Sequence, residues 1–119
     1  MRVRLKSVQE AKKADVRGWL RPDEDYAVLA IEHLPGRVVA YRIATRQGTP
    51  ALFEASLFAI TDPRVDDAWV VQYKDSGEVE LMPGLWSAPG FWEDFFDGNP
   101  RAVARYQEVV ERAISGRDT

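Results

Sequence analysis

The stretch Asp25-Tyr-Ala-Val-Leu-Ala-Ile-Glu-His-Leu-Pro-Gly-Arg-Val-Val-Ala-Tyr-Arg-Ile-Ala-Thr45 decides the fold class. Its first part, Tyr26–Ile31, is rich in β-forming residues and predicts a strand over Asp25–His33. Leu34-Pro-Gly-Arg37 then supplies proline at the second turn position and glycine at the third, as a type II turn requires. The return strand runs over Arg37–Thr45, with Val39, Tyr41 and Ile43 on one face and Arg42 on the other. Two strands joined in this way are the start of an antiparallel sheet.

The flanking sequence extends that sheet. Val3 and Leu5 alternate with Arg2, Arg4 and Lys6, predicting a short strand, and Ser7-Val-Gln-Glu10 reads as a capping box opening a short helix. After the turn at Gln47–Pro50, Ala51–Ile60 predicts two short strands bent around Glu54–Ser56. Ala68–Lys74 is a further strand, and Asp75-Ser-Gly-Glu78 turns the chain into Val79–Met82. Pro83-Gly84 ends the strands.

Pro89–Asp97 predicts a short helix closed by Gly98, and Asn99-Pro100 opens another, with asparagine as N-cap and proline in the first turn. In that last helix Val103, Tyr106, Val110 and Ala113 form an apolar stripe, widened by Val109 and Ile114. Strands first and helices last predict an α+β domain: a strongly bent antiparallel sheet or small barrel of five to six strands, followed by two C-terminal helices. The expected layout is one domain over 1–119, with a basic N-terminal segment at 1–21, mainly strands at 25–82 and helices at 88–115.

Composition narrows the function classes. The 119 residues are 45% hydrophobic and 29% charged, ordinary values for a chain with a packed core. There is no cysteine, which removes disulfides, thiolate metal ligands and thiol nucleophiles and favours a cytoplasmic setting. No apolar run suits a signal peptide or a membrane span.

The net charge of −3 hides a strong asymmetry. Residues 1–21 carry seven basic and two acidic side chains, whereas residues 22–97 carry five basic and fourteen acidic ones. An acidic middle repels a phosphate backbone, so nucleic acid is not the expected partner. It attracts a basic protein instead.

The catalytic inventory is short. His33 is the single histidine and stands at a strand end, where an edge residue is the expectation. No serine sits in a Gly-x-Ser-x-Gly setting, and there is no phosphate-binding glycine loop or dinucleotide fingerprint. One histidine without cysteine does not make a zinc site, and Asp23-Glu24-Asp25 and Asp62…Asp66-Asp67 lack the pattern of a calcium loop. Neither a catalytic residue, a metal ligand nor a cofactor is expected, and the protein is not expected to be an enzyme.

The distinctive motif is Trp86-Ser-Ala-Pro-Gly-Phe-Trp-Glu-Asp-Phe-Phe-Asp97, five aromatic residues among three acids. Most of these rings are expected in the core. One or two of them, Trp86 or Trp92, are the expected exposed anchors, ringed by Glu93, Asp94 and Asp97 as a partner-binding patch.

Gly48–Asp62 followed by Asp67-Ala-Trp-Val-Val71, and the later Gly90–Pro100, together resemble small bacterial proteins with a Src-homology-3-like barrel. Some families of that kind are immunity proteins that neutralise polymorphic toxins. The resemblance implies a barrel closed by the Pro…Phe…Asp ending, and a binding role.

The leading expectation is therefore a toxin-neutralising immunity protein that occludes a basic partner surface. The alternative is a small-molecule-binding or regulatory domain with an aromatic-lined pocket. An enzyme working through carboxylates alone ranks last.

Overall fold

In a computed structural model the described residues are 1–7, 19–33, 35–36, 38–45, 49–65 and 67–115. Among the described residues seven strands come first: β1 (Arg2–Leu5), β2 (Tyr26–His33), β3 (Val39–Ala44), β4 (Pro50–Glu54), β5 (Phe58–Asp62), β6 (Trp69–Tyr73) and β7 (Val79–Pro83). Two helices follow, α1 (Phe91–Phe96) and α2 (Pro100–Ser115), with short 3₁₀ turns at Ala55–Leu57 and Gly84–Trp86. The order of strands then helices is the α+β arrangement expected. The bend at Glu54–Ser56 is real: the 3₁₀ turn there separates β4 from β5. The expected helix after Ser7, the residues at Gln47-Gly48, and Leu34 and Arg37 of the first turn lie outside the described residues.

The sheet has seven strands instead of five or six, and it is open rather than a closed barrel. Its strands run β4-β3-β2-β1-β5, with β7 and β6 added to β2 off that path. The cause is the length of β2. Its edge away from β3 is shared by two short strands: Tyr26 and Ala27 pair with β1, whereas Ile31, Glu32 and His33 pair with β7. The sheet therefore forks at β2, with β5 extending one limb and β6 the other. A register shift against β3 falls between Val28 and Ala30, at the fork. Such a bulge bends the strand and raises its local twist, which lets the two limbs diverge. The Pro…Phe…Asp ending belongs to β4 and β5 on opposite margins of the forked sheet, so it does not close a barrel.

Each face of the sheet carries its own core. On one face Val3, Leu5, Leu20, Tyr26, Val28, Tyr41, Ile43, Leu57 and Phe58 pack together. On the other, Leu29, Ala30 and Met82 meet Trp86, Phe91, Ala102 and Tyr106 from the helical part. Helix α2 is capped as expected: Asn99 Oδ1 accepts from the Arg101 and Ala102 N–H groups at 3.0 and 3.4 Å. The buried line of α2 is Ala102 and Tyr106, with Val109 and Val110 half-buried beside it.

Trp86 is the centre of the helix-side core. It stacks on Phe91 and Tyr106 at ring distances of 5.8 and 5.5 Å and meets the Trp92 edge at 5.4 Å. Its Nε1–H donates to Arg105 O at 3.1 Å, tying the 3₁₀ turn to α2. Trp86→Ala leaves a large void at this junction and should lower stability by about 3–5 kcal/mol, measured by urea unfolding followed by circular dichroism. A loss below about 1 kcal/mol would show that these stacks are not what holds α2 to the sheet.

Candidate functional site

The expected anchors divide sharply. Trp86 is 2% exposed, so the expectation that it is an exposed anchor is corrected: three neighbouring rings and a hydrogen bond enclose it. Trp92 is half-buried, and the Arg42 guanidinium lies 4.0 Å from its ring centroid. Glu93, Asp94 and Asp97 are all exposed on α1. The ring that stands out among them is Phe96, 58% exposed. Beside it, a groove of about 480 Å³ runs between α1 and α2, lined by Phe95, Val103, Tyr106 and Val110 with Glu111 at its rim. Gln107 completes its lining, so the groove is mainly apolar with a polar edge.

Sheet register adds residues that the linear sequence does not bring together. Side chains alternate along each strand, and Arg42 projects to the helix side with its registered neighbours Ala30 and Leu52. The next row on the same side is Glu54, Ala40, Glu32, Glu80 and Gln72, one residue from each of five adjacent strands. Glu32 and Glu80 are thus direct cross-strand partners. Glu78 joins them, and carboxylate oxygens of Glu32, Glu78 and Glu80 lie within 4.8 Å of one another. Like charges directly opposite each other in a sheet are destabilising.

Two cations compensate. Lys74 Nζ reaches Glu80 Oε1 at 2.8 Å and Glu78 Oε2 at 3.7 Å. Arg42 Nη2 lies 3.6 Å from Glu32 Oε2. The turn between β6 and β7 sets Lys74 in place: its N–H donates to Glu78 O at 2.9 Å, and Gly77 turns the chain with φ of 89°.

Burial then separates the carboxyl groups. It pushes Glu32 above the ordinary carboxylate range, Arg42 only partly offsetting it, while Glu80 and Glu78 push it further up. Burial also pushes Glu80 up, but hydrogen bonds from Lys74 and from the neighbouring carboxyls outweigh this and hold it below the ordinary range. The Glu80 bond raises Lys74 in turn. Burial lowers Arg42, against the pull of Glu32 and Glu80. Tyr106, below Trp92, is pushed up to about 12 by burial.

The three glutamates are the one metal-like grouping among the described residues. Calcium or magnesium takes six or more oxygen ligands. Here the carboxylates already hold Lys74 and Arg42, so the arrangement is an ion-pair network. His33 is exposed and paired with Val39 and Val79, on the opposite face from Glu32. No helix among the described residues is long and apolar enough to cross a membrane. No protein-family model matches the chain, and neither does a curated protein or a solved structure.

Sequence reasoning found the acids of α1 but missed Phe96 as their exposed ring, and it missed the acids of the sheet row. The Asp75–Glu78 turn carried part of the missing signal, since a hairpin there sets Lys74 opposite Glu78 and Gln72 opposite Glu80.

The raised Glu32 group has a stability consequence of definite sign. The folded state binds this proton more tightly than the unfolded chain, whose value is 4.5. Its carboxylate therefore lowers stability as pH rises through and above that value. Glu32→Gln, which mimics the protonated form, should be more stable than the parent at pH 7, with the difference shrinking by pH 5. Urea unfolding at both pH values measures this. A difference that grows as pH falls would show that Glu32 is stabilised as the anion.

Proposed function

We propose that this protein is a non-catalytic binding protein that covers a basic surface of a protein partner, as an immunity protein does with its toxin. The observation that carries the reading is Phe96, 58% exposed on α1, with the exposed acids Glu93, Asp94 and Asp97 on the same short helix. An exposed ring among acids offers an anchor and a charge complementary to a cation-rich partner. These residues lie on the same side of the sheet as the row that holds Glu54, Glu32 and Glu80, since Trp92 of α1 rests on Arg42.

The mechanism requires no bond-making. Acidic side chains speed the encounter with a basic partner, and Phe96 with the groove beside it supplies the apolar contact that slows release. A patch of about 800 Å² per partner suffices for a stable complex. Occlusion of a toxin's cationic active-site region would then block access of its substrate. In this reading the protein acts in a bacterial cytoplasm.

Co-expression with the product of the adjacent gene tests the reading. A complex that survives gel filtration and restores growth supports it. The combined reversal Glu93→Lys, Asp94→Lys and Asp97→Lys should abolish both, and Phe96→Ala should weaken binding by about thirtyfold, the loss of one hot-spot residue. These four side chains are exposed, so circular dichroism should remain that of the parent. Absence of a complex, or full rescue by the charge-reversed protein, contradicts the proposal.

A further inference from the structure

The fork in the sheet leaves a space. Between the β1–β5 limb and the β6–β7 limb, beneath the end of α2, lies a cleft of about 650 Å³. Its apolar lining includes Val28, Leu29, Trp69, Pro83, Leu85 and Val109. Leu29 sits where β2 has left β1 and has not yet met β7. The cleft exists because neither short strand spans β2, and it falls within the 300–1,000 Å³ range of small-molecule sites.

The rim has the opposite sign to the acidic middle of the chain. Arg2, Arg64 and Arg112 line it, with Asp62 as the one carboxylate among the described lining residues. Each guanidinium is anchored. Arg2 Nη2 donates to Ala113 O at 2.6 Å, fixing β1 to the end of α2. Arg64 holds Asp62 at 2.7 Å, and Arg112 holds Glu108 at 2.9 Å. A guanidinium has five N–H donors, so these bonds leave others for an anion.

We propose that the cleft binds an amphipathic monoanion of the alkyl carboxylate class, its chain along the apolar lining and its carboxylate on the guanidinium rim. The lining disfavours a polyhydroxylated body, whose buried hydroxyls would lack partners. The rim disfavours a cationic head and fits a carboxylate, which guanidinium groups grip through paired hydrogen bonds. The cleft is independent of the acidic row. Leu29 is the lining residue of β2 nearest the row, and Glu32 lies three residues further along β2, about 10 Å away at strand rise, on a part of the strand that does not line the cleft. Failure of either proposal leaves the other standing.

Isothermal titration of the full chain with decanoate, decanol and decyltrimethylammonium, all below micelle formation, tests the assignment. Decanoate should bind saturably at one site, decanol about tenfold more weakly, and the cation not at all. The double variant Arg64→Gln/Arg112→Gln should lose about tenfold for decanoate while leaving decanol unchanged. Ala68→Trp, at an exposed lining position, should block both ligands with the parent's circular dichroism retained. The proposal is overturned by no saturable binding up to millimolar decanoate, by equal binding of the cation, or by binding to phosphatidylglycerol vesicles without binding of free decanoate.

Discussion

The guanidinium of Arg42 lies 4.0 Å from the ring centroid of Trp92 and reaches Glu32 at 3.6 Å. It belongs to β3, its ring partner to α1 and its carboxylate partner to β2, so one side chain joins three elements. It also marks a boundary. On one side lies the stacked core of Trp86, Phe91 and Tyr106, and on the other the row of sheet carboxylates. A cation–π contact desolvates the guanidinium at modest cost, which lets a charge sit at the margin of an aromatic core. Without that charge, Glu32 would face Glu80 and Glu78 with Lys74 as the one cation in the network described. The position of α1, and with it Phe96 and the three helix acids, follows from two seats: Arg42 against Trp92, and Trp86 against Phe91 and Trp92.

The division of β2 between β1 and β7 supplies the second constraint. One strand edge serves two limbs, and the two ends of β2 acquire opposite character. Toward His33 the helix side carries Glu32, Glu80, Glu78 and Glu54. Toward Tyr26 the limbs part around an apolar cleft with three arginines at its lining. The chain is acidic overall, yet these carboxylates and these arginines gather at opposite ends of β2. The basic residues Arg2, Arg64 and Arg112 come from β1, from the loop after β5 and from α2, so no local run of sequence announces them.

Local signals in the sequence carried much of the fold. The bend at Glu54–Ser56, the Asp75–Glu78 hairpin and the Asn99 cap are each encoded within a few residues, and each is present in the structure, as is a positive φ of 67° at Gly36. Barrel closure was not legible, because it depends on whether β1 and β7 take opposite edges or share one, which no single strand encodes. The site was half legible. The cluster of rings and acids at 86–97 was visible, but the periodicity of a six-residue helix does not say which ring faces out. Trp86 precedes that helix in a 3₁₀ turn, where helical spacing does not apply. Glu32 and Glu80 stand forty-eight positions apart, and only strand register sets them side by side.

A double-mutant cycle between Arg42 and Glu32 tests the central claim most directly, namely that a half-buried cation sustains the acidic row. The variants are Arg42→Met, Glu32→Gln and the pair, compared by urea unfolding at pH 7. Met keeps the length and apolar contact against Trp92 while removing the charge. Arg42→Met alone should cost about 3 kcal/mol, because it leaves a half-buried carboxylate without its cation. In the Glu32→Gln background the same change should cost at least 1.5 kcal/mol less, a coupling of the size expected for residues in one network. Equal costs in the two backgrounds would contradict the account, for Arg42 would then act by packing alone and the carboxylates would be held without it.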